Sequence, residues 1–162
     1  FRYGTDGLMG GYLLLTAEKG LEFIEQTRLI PDVPAESAHA AAQAMQFIWS
    51  YESNLIPPSR LKLSMRRLLA NEDLRLLTIM NLARWNDWEC WPDLEQMFRN
   101  EQVADFATQR AIVEFANECR KATDADGNPL EIASAADQFL MQAELMHPEL
   151  FRSVNNAEFR SP

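Results

Sequence analysis

Apolar residues recur at helical spacing along almost the whole chain, and prolines divide this pattern into short segments. The alternation of apolar and polar residues that marks a half-buried strand is absent. Pro34, Pro57, Pro92 and Pro148 stand where segments begin, and proline suits the first turn of a helix. The pattern therefore predicts an all-α fold of short amphipathic helices, which are stable only when packed on one another.

The predicted helices cover most of the chain. They lie at residues 8–17, 19–29, 34–51, 57–70, 71–85, 92–100, 103–121, 128–146 and 148–154. Asn71 is the predicted cap of the fifth helix, and Asn128, followed by Pro129, is the predicted cap of the eighth. We expect a single domain over residues 1–154 and a frayed tail over residues 155–162.

Two apolar positions recur at a nearly constant stride of 34 and 33 residues. The first position is occupied by Met45, Ile79 and Ile112, and the second by Ile48, Leu82 and Phe115. A helix, a corner and a shorter second helix accompany each of these pairs. Such a stride is typical of helical hairpins stacked side by side, so eight of the helices are predicted to form four hairpins.

Residues 72–98 resemble a HEAT-type repeat. The residues that fit the family pattern are Asp73, Arg75, Ile79, Leu82, Asp87, Leu94 and Met97. The next unit keeps Arg110, Ile112 and Phe115, but its corner is longer and more acidic, and the first hairpin, with Gly10 and Gly11, departs most. The resemblance covers roughly residues 35–145 and implies an α-solenoid of about four HEAT-like antiparallel hairpins. The layout is also similar to uncharacterised bacterial proteins with HEAT-like C-terminal regions, which implies no activity.

The net charge of −9 excludes several classes of partner. Binding to nucleic acids and to anionic membrane surfaces needs clustered Lys and Arg, and an excess of acidic residues over the whole chain argues against both partners. The longest apolar run, near Tyr12, is too short to span a bilayer. Because the chain starts at Phe1 rather than Met, we expect it to be a piece of a longer protein. The sequence indicates no compartment.

Trp85, Trp88 and Trp91 lie within the seven residues that end helix five and turn the corner before helix six. A corner between short helices needs bulky side chains to seal it, and each indole can remove roughly 150–250 Å² from water. We therefore expect these tryptophans to pack. The alternative is an aromatic cage for a cationic ligand, which requires two exposed indoles that face each other, with Trp88 as a candidate contact.

Two Glu-x-x-His segments, Glu36–His39 and Glu144–His147, raise the alternative of a metal-dependent enzyme. Residues at i and i+3 share a helix face, and two such pairs form part of the di-iron site in helical bundles. Against this alternative, Glu36 lies in the first turn of its helix and His147 precedes a proline. We therefore predict no bound metal or cofactor. No other pattern predicts catalysis.

Arg60, Lys62, Arg66 and Arg67 give the fourth predicted helix a basic spot. In stacked hairpins the second helices line one face, so the basic spot would lie on that face. An acidic peptide or a neighbouring domain is the expected binding partner. The alternative is a solvated face with ion pairs to adjacent repeats. The preferred function is a non-catalytic scaffold that binds a protein or peptide, including the region upstream of Phe1.

Cys90 and Cys119 occupy similar places in successive repeats. Stacking of the repeats predicts neighbouring thiols, with a disulfide as an alternative. Two cysteines are too few for a zinc site, which needs about four ligands.

Overall fold

The computed structural model describes residues 4–100 and 103–155, with side chains up to residue 151. Within them the chain forms eight α-helices: α1 (Thr5–Thr27), α2 (Ala35–Tyr51), α3 (Pro58–Arg66), α4 (Arg75–Arg84), α5 (Trp91–Phe98), α6 (Phe106–Cys119), α7 (Glu131–Met146) and α8 (Pro148–Asn155). A 3-10 turn, Arg67–Ala70, follows α3, and another, Trp88–Cys90, precedes α5. No strand occurs in the described residues, only an isolated bridge between Thr123 and Pro129. The all-α prediction is confirmed.

Local hydrogen bonds explain where helix starts differ from the predictions. The Asn71 Oδ1 accepts the Leu74 N–H at 3.2 Å and holds a turn, so α4 begins only at Arg75. The Asp105 carboxylate caps α6 by accepting the Thr108 N–H at 2.8 Å. The predicted start at residue 103 was therefore too early.

The predicted cap at Asn128 was wrong. The backbone N–H of Asn128 instead donates to the Asp124 carboxylate at 2.8 Å, so residue 128 belongs to the preceding turn. The α7 helix begins at Glu131, after Leu130. The predicted frayed tail lies, from residue 156 onward, outside the described residues.

The first helix contains a sharp kink at Ala17, where the backbone has φ 50° and ψ −128°. The kink separates a first arm, residues 5–16, from a second arm, residues 18–27. The two helices predicted over residues 8–17 and 19–29 correspond to these arms. A positive φ at a non-glycine residue costs about 1–3 kcal/mol, so contacts between the arms must hold the kink.

The chain divides into two compact units, Phe1–Thr78 and Ile79–Pro162. In the first unit α1 packs on α2, and α2 packs on α3. In the second unit α5 packs on α6 and α7, and α8 also packs on α6 and α7. All six residues at the repeating positions are buried: Met45, Ile48, Ile79, Leu82, Ile112 and Phe115.

No helix in the described part of the chain combines the length and the apolar character needed to cross a membrane.

Candidate functional site

The two arms of α1 come close together near the kink. The closest approach is at Gly20, where an added Cβ would lie 2.0 Å from the Thr16 Oγ1 and 3.2 Å from the Tyr12 Cε1. The rings of Tyr12 and Phe23 meet edge to face across the arms, with centroids 5.9 Å apart. A residue without a side chain at position 20 therefore permits the kinked arrangement.

An open cavity of about 640 Å³ lies between the arms, and we call it the α1 groove. Its walls are apolar side chains from both arms: Leu8, Met9, Tyr12, Leu15, Phe23 and Ile24. Thr5, Thr27 and Arg28 line the end that is distant in sequence from the kink. The groove can therefore hold apolar side chains of a ligand, with a polar group at one end.

Between Gly7 and Leu15 the first arm is apolar on every side. Leu13 is buried against the rest of the unit, yet Leu8 is 76% exposed and Leu15 is 88% exposed. A helix that is apolar all round is normally buried on all sides. Single exposed leucines are common, but these two line one cavity with a half-exposed Phe23.

Gly7 and Gly11 also line the groove, one helical turn apart. A Cβ added at either glycine would meet nothing within 4 Å. Glycine inside a helix costs about 1 kcal/mol relative to alanine, and no contact within the unit requires it at these positions. The missing side chains leave the first arm open to close approach from outside.

Much of the predicted basic spot is engaged inside the first unit. Arg60 forms two hydrogen bonds with the buried Glu25 carboxylate, one from Nη1 to Oε1 and one from Nη2 to Oε2 at 2.6 Å. The Ser64 hydroxyl donates to the same carboxylate at 2.6 Å, and the Arg67 Nη1 lies 4.0 Å from it. Arg60 is therefore paired with Glu25 inside the unit, whereas the Arg67 side chain is still half exposed. Binding of an acidic partner at the basic spot stays a prediction.

These contacts determine the pKa of Glu25. Burial by itself raises the pKa of this carboxyl group, but the hydrogen bonds from Arg60 and Ser64 and the charges of Arg60 and Arg67 outweigh burial. The pKa consequently lies below its usual value of 4.5. Glu25 is charged at neutral pH and ties the second arm of α1 to α3.

The other two residues of the basic spot lie at the surface of α3. The Lys62 ammonium stands 6.0 Å from the centre of the Trp49 ring, at the outer limit of a cation–π contact. Arg66 is half-buried. The four basic residues therefore do not form one free cationic patch.

The tryptophans of the corner pack in the second unit. Trp85 and Trp91 are buried, and Trp91 stacks parallel to Phe115 at 6.2 Å and meets the edge of Phe139 at 4.9 Å. Trp88 is half-buried with its ring edge to face with Phe115 at 5.4 Å. The packing prediction is confirmed, since no two of these indoles are exposed together as a cage requires.

The residues of the metal alternative are divided between the two units. Glu36 and His39 belong to the first unit, whereas Glu144 and His147 belong to the second. Nδ1 of His147 lies 3.3 Å from Oε1 of Glu149. Among the residues that the structure describes, no three His, Cys, Asp or Glu side chains are placed to hold a metal ion.

Both cysteines are buried as free thiols, so the alternative of a disulfide is not realised. The Cys90 thiol donates to the Asp87 carbonyl at 3.1 Å. Burial raises the pKa of Cys119 to about 11. The thiol is therefore almost entirely protonated at neutral pH and is a poor nucleophile.

Sequence reasoning missed both the α1 groove and Glu25. The groove had a signal in the segment from Gly7 to Leu15, which is apolar at nearly every position and interrupted by glycines. Glu25 had no such signal, because a glutamate among helix-surface charges looks solvated until its partners on another helix are known.

Comparison of the chain with models of protein families, with curated proteins and with solved structures gives no match. The HEAT-like resemblance accordingly stays a prediction.

Proposed function

We propose that this chain is a non-catalytic helical-repeat scaffold that binds a partner protein through the α1 groove. The observation that carries the proposal is the exposed apolar lining of the groove, above all Leu8 and Leu15. Contiguous exposed apolar surface on a folded protein marks an interaction site, because leaving it in water costs about 25 cal/mol per Å².

The packing order supports the scaffold part of the proposal. In the second unit each helix from α5 to α7 packs on the next helix, and α5 and α6 also pack on the next but one. Stacked hairpins give this order, because each repeat contacts only its neighbours. The burial of all six repeating apolar positions is consistent with equivalent places in successive hairpins.

A protein partner also fits the chemistry of the lining. The only charged side chain among the lining residues is Arg28, and neither Cys nor His is present. Thr5, Tyr12 and Thr27 supply the hydroxyl groups of this lining, and no carboxylate, Cys or His lies among the lining residues to activate one of them. Gly7 and Gly11 favour a helical partner, since small residues let two helix backbones approach closely.

Site-specific photo-crosslinking tests the proposal. A benzophenone amino acid replaces Leu15 in the groove or, as the matched control, Leu145 of α7, which is 85% exposed outside it. In an extract of the cells that make the protein, we expect protein adducts from position 15 and few from position 145. Adding Leu8→Lys to the position 15 variant should remove them. Equal adducts at both positions, or none at position 15, contradict the proposal.

A further inference from the structure

We propose that the α1 groove selects an acidic amphipathic helix, whose apolar side chains enter the groove and whose carboxylates pair with Lys19 and Arg28. This inference rests on the proposed function and names the chemistry of the partner. It follows from the way charges are distributed around the second arm of α1.

The second arm separates its charges by face. Glu18, Glu22 and Glu25 follow one another at i, i+4 and i+7, and therefore share a side of the helix. Glu25 on this side is hydrogen-bonded to Arg60, and the charges of Glu22 and Glu18 also act on that guanidinium. Glu25 is thus neutralised within the unit, and Glu18 and Glu22 lie on the side of the arm from which their charges act on Arg60 of α3.

The groove side of the same arm is basic. Lys19 and Phe23 are one turn apart, so they share a face, and Phe23 lines the groove. Arg28 lines the groove directly. Lys19 and Arg28 are exposed, and neither forms an ion pair with any described residue.

The spacing of the two cations suits a helix lying along the groove. Lys19 and Arg28 are nine positions apart, which corresponds to about 14 Å along a helix axis. Lys19 lies outside the lining, one turn from Phe23. The groove has apolar walls, Arg28 as its one charged lining residue and no carboxylate among its lining residues. Its electrostatic complement is a helix with one apolar stripe and acidic flanks.

A second copy of the chain fits this surface less well. Dimers with twofold symmetry bring the same patch of each copy together, and the residues that line this groove include no carboxylate to pair with Lys19 or Arg28. Lys19 and Arg28, which form no ion pair with a described residue, instead favour a partner that supplies carboxylates.

Two synthetic helical peptides test the inference against the full chain. Both carry the same leucine stripe, and they differ only in having Glu or Lys on the flanks of that stripe. Fluorescence anisotropy at low salt should show binding about tenfold tighter for the Glu peptide, because two exposed ion pairs replace two repulsive contacts. Added salt should reduce this preference, because it screens exposed charges.

Variants of the chain make the result specific. The double variant Lys19→Glu/Arg28→Glu should reverse the preference between the peptides, whereas Leu15→Lys should weaken both peptides and Leu145→Lys neither. Circular dichroism establishes that each variant is folded.

The outcomes separate the two proposals. Equal affinity for both peptides, with loss of binding in Leu15→Lys, overturns the acidic preference and leaves the binding function standing. If neither peptide binds, both proposals fail. If the chain alone forms a dimer that Leu15→Lys dissociates, the groove is occupied by a second copy and the acidic-helix inference is wrong.

Discussion

Gly20→Ala and Gly11→Ala introduce the same methyl group into the same helix, and we expect them to change stability in opposite directions. Alanine is favoured over glycine by about 1 kcal/mol in a helix interior, and this gain applies to both variants. The difference between them comes from what the new Cβ meets. At Gly11 it meets nothing within 4 Å.

At Gly20 the new Cβ would lie 2.0 Å from the Thr16 Oγ1, and 3.2 Å from both the Thr16 Cβ and the Tyr12 Cε1. The Thr16 hydroxyl cannot rotate away without loss, because it donates to the Tyr12 carbonyl at 2.6 Å. Overpacking of this kind costs about 1–3 kcal/mol, and three close atoms place Gly20→Ala near the upper end. After the helix gain is subtracted, the expected loss is about 2 kcal/mol, against a gain of about 1 kcal/mol for Gly11→Ala.

Urea unfolding followed by far-UV circular dichroism measures both changes. Hydrogen exchange on peptides from residues 5–27 shows whether the loss in Gly20→Ala is local to α1. Adding Thr16→Ala to Gly20→Ala removes the closest clashing atom and should restore part of the lost stability. If Gly20→Ala alone is as stable as the wild type, the close approach of the two arms is refuted.

Two other predictions concern buried polar groups. Because the pKa of Glu25 is lower in the folded chain than its usual 4.5, its contribution is complete above pH 4.5 and is lost as the pH falls through the folded value. Glu25→Gln should therefore cost about 2 kcal/mol at pH 7 and progressively less in acid, whereas Glu114→Gln, in an exposed pair, should cost about 0.5 kcal/mol. A constant difference between wild type and Glu25→Gln in urea unfolding at all pH values contradicts this. The buried Trp91 Nε1 has no hydrogen-bond acceptor among the described residues, so Trp91→Phe should stay within about 1 kcal/mol of wild type while Trp91→Ala loses about 3–5 kcal/mol. Equal losses in the two variants, by the same unfolding assay, refute the second prediction.

The helices could be predicted from the sequence because their signals are local. Apolar spacing identifies a helix face, and a proline such as Pro34 or Pro58 marks a start within one residue. The errors occurred where two local signals compete. Asn128 and Pro129 resemble a helix start, but the Asp124 carboxylate binds the Asn128 N–H and keeps both residues in the turn.

The sequence does not show whether the residues of the basic spot are paired within the chain. For Arg60 the partner is Glu25, which lies 35 positions earlier. In the sequence Arg60 and Arg67 stand in a cluster of basic residues. The packing of α3 near the second arm of α1 brings both of them to Glu25. A carboxylate with only 7% of its surface exposed needs such partners, since an unpaired charge in that position costs several kcal/mol. The tryptophan corner was predictable for the opposite reason, because bulky apolar side chains at a corner pack whichever neighbour they meet.

The first hairpin departs most from the repeat pattern, and it is also where local rules are broken together. Its first arm is apolar on all sides between residues 7 and 15, it carries glycines with no internal contact at positions 7 and 11, and Ala17 has a positive φ. Each feature disfavours the isolated helix, and natural sequences concentrate such conflicts at functional sites. A variant of the first hairpin that relieves the conflicts, such as Gly11→Ala, should therefore stabilise the chain while filling part of the surface on which binding depends.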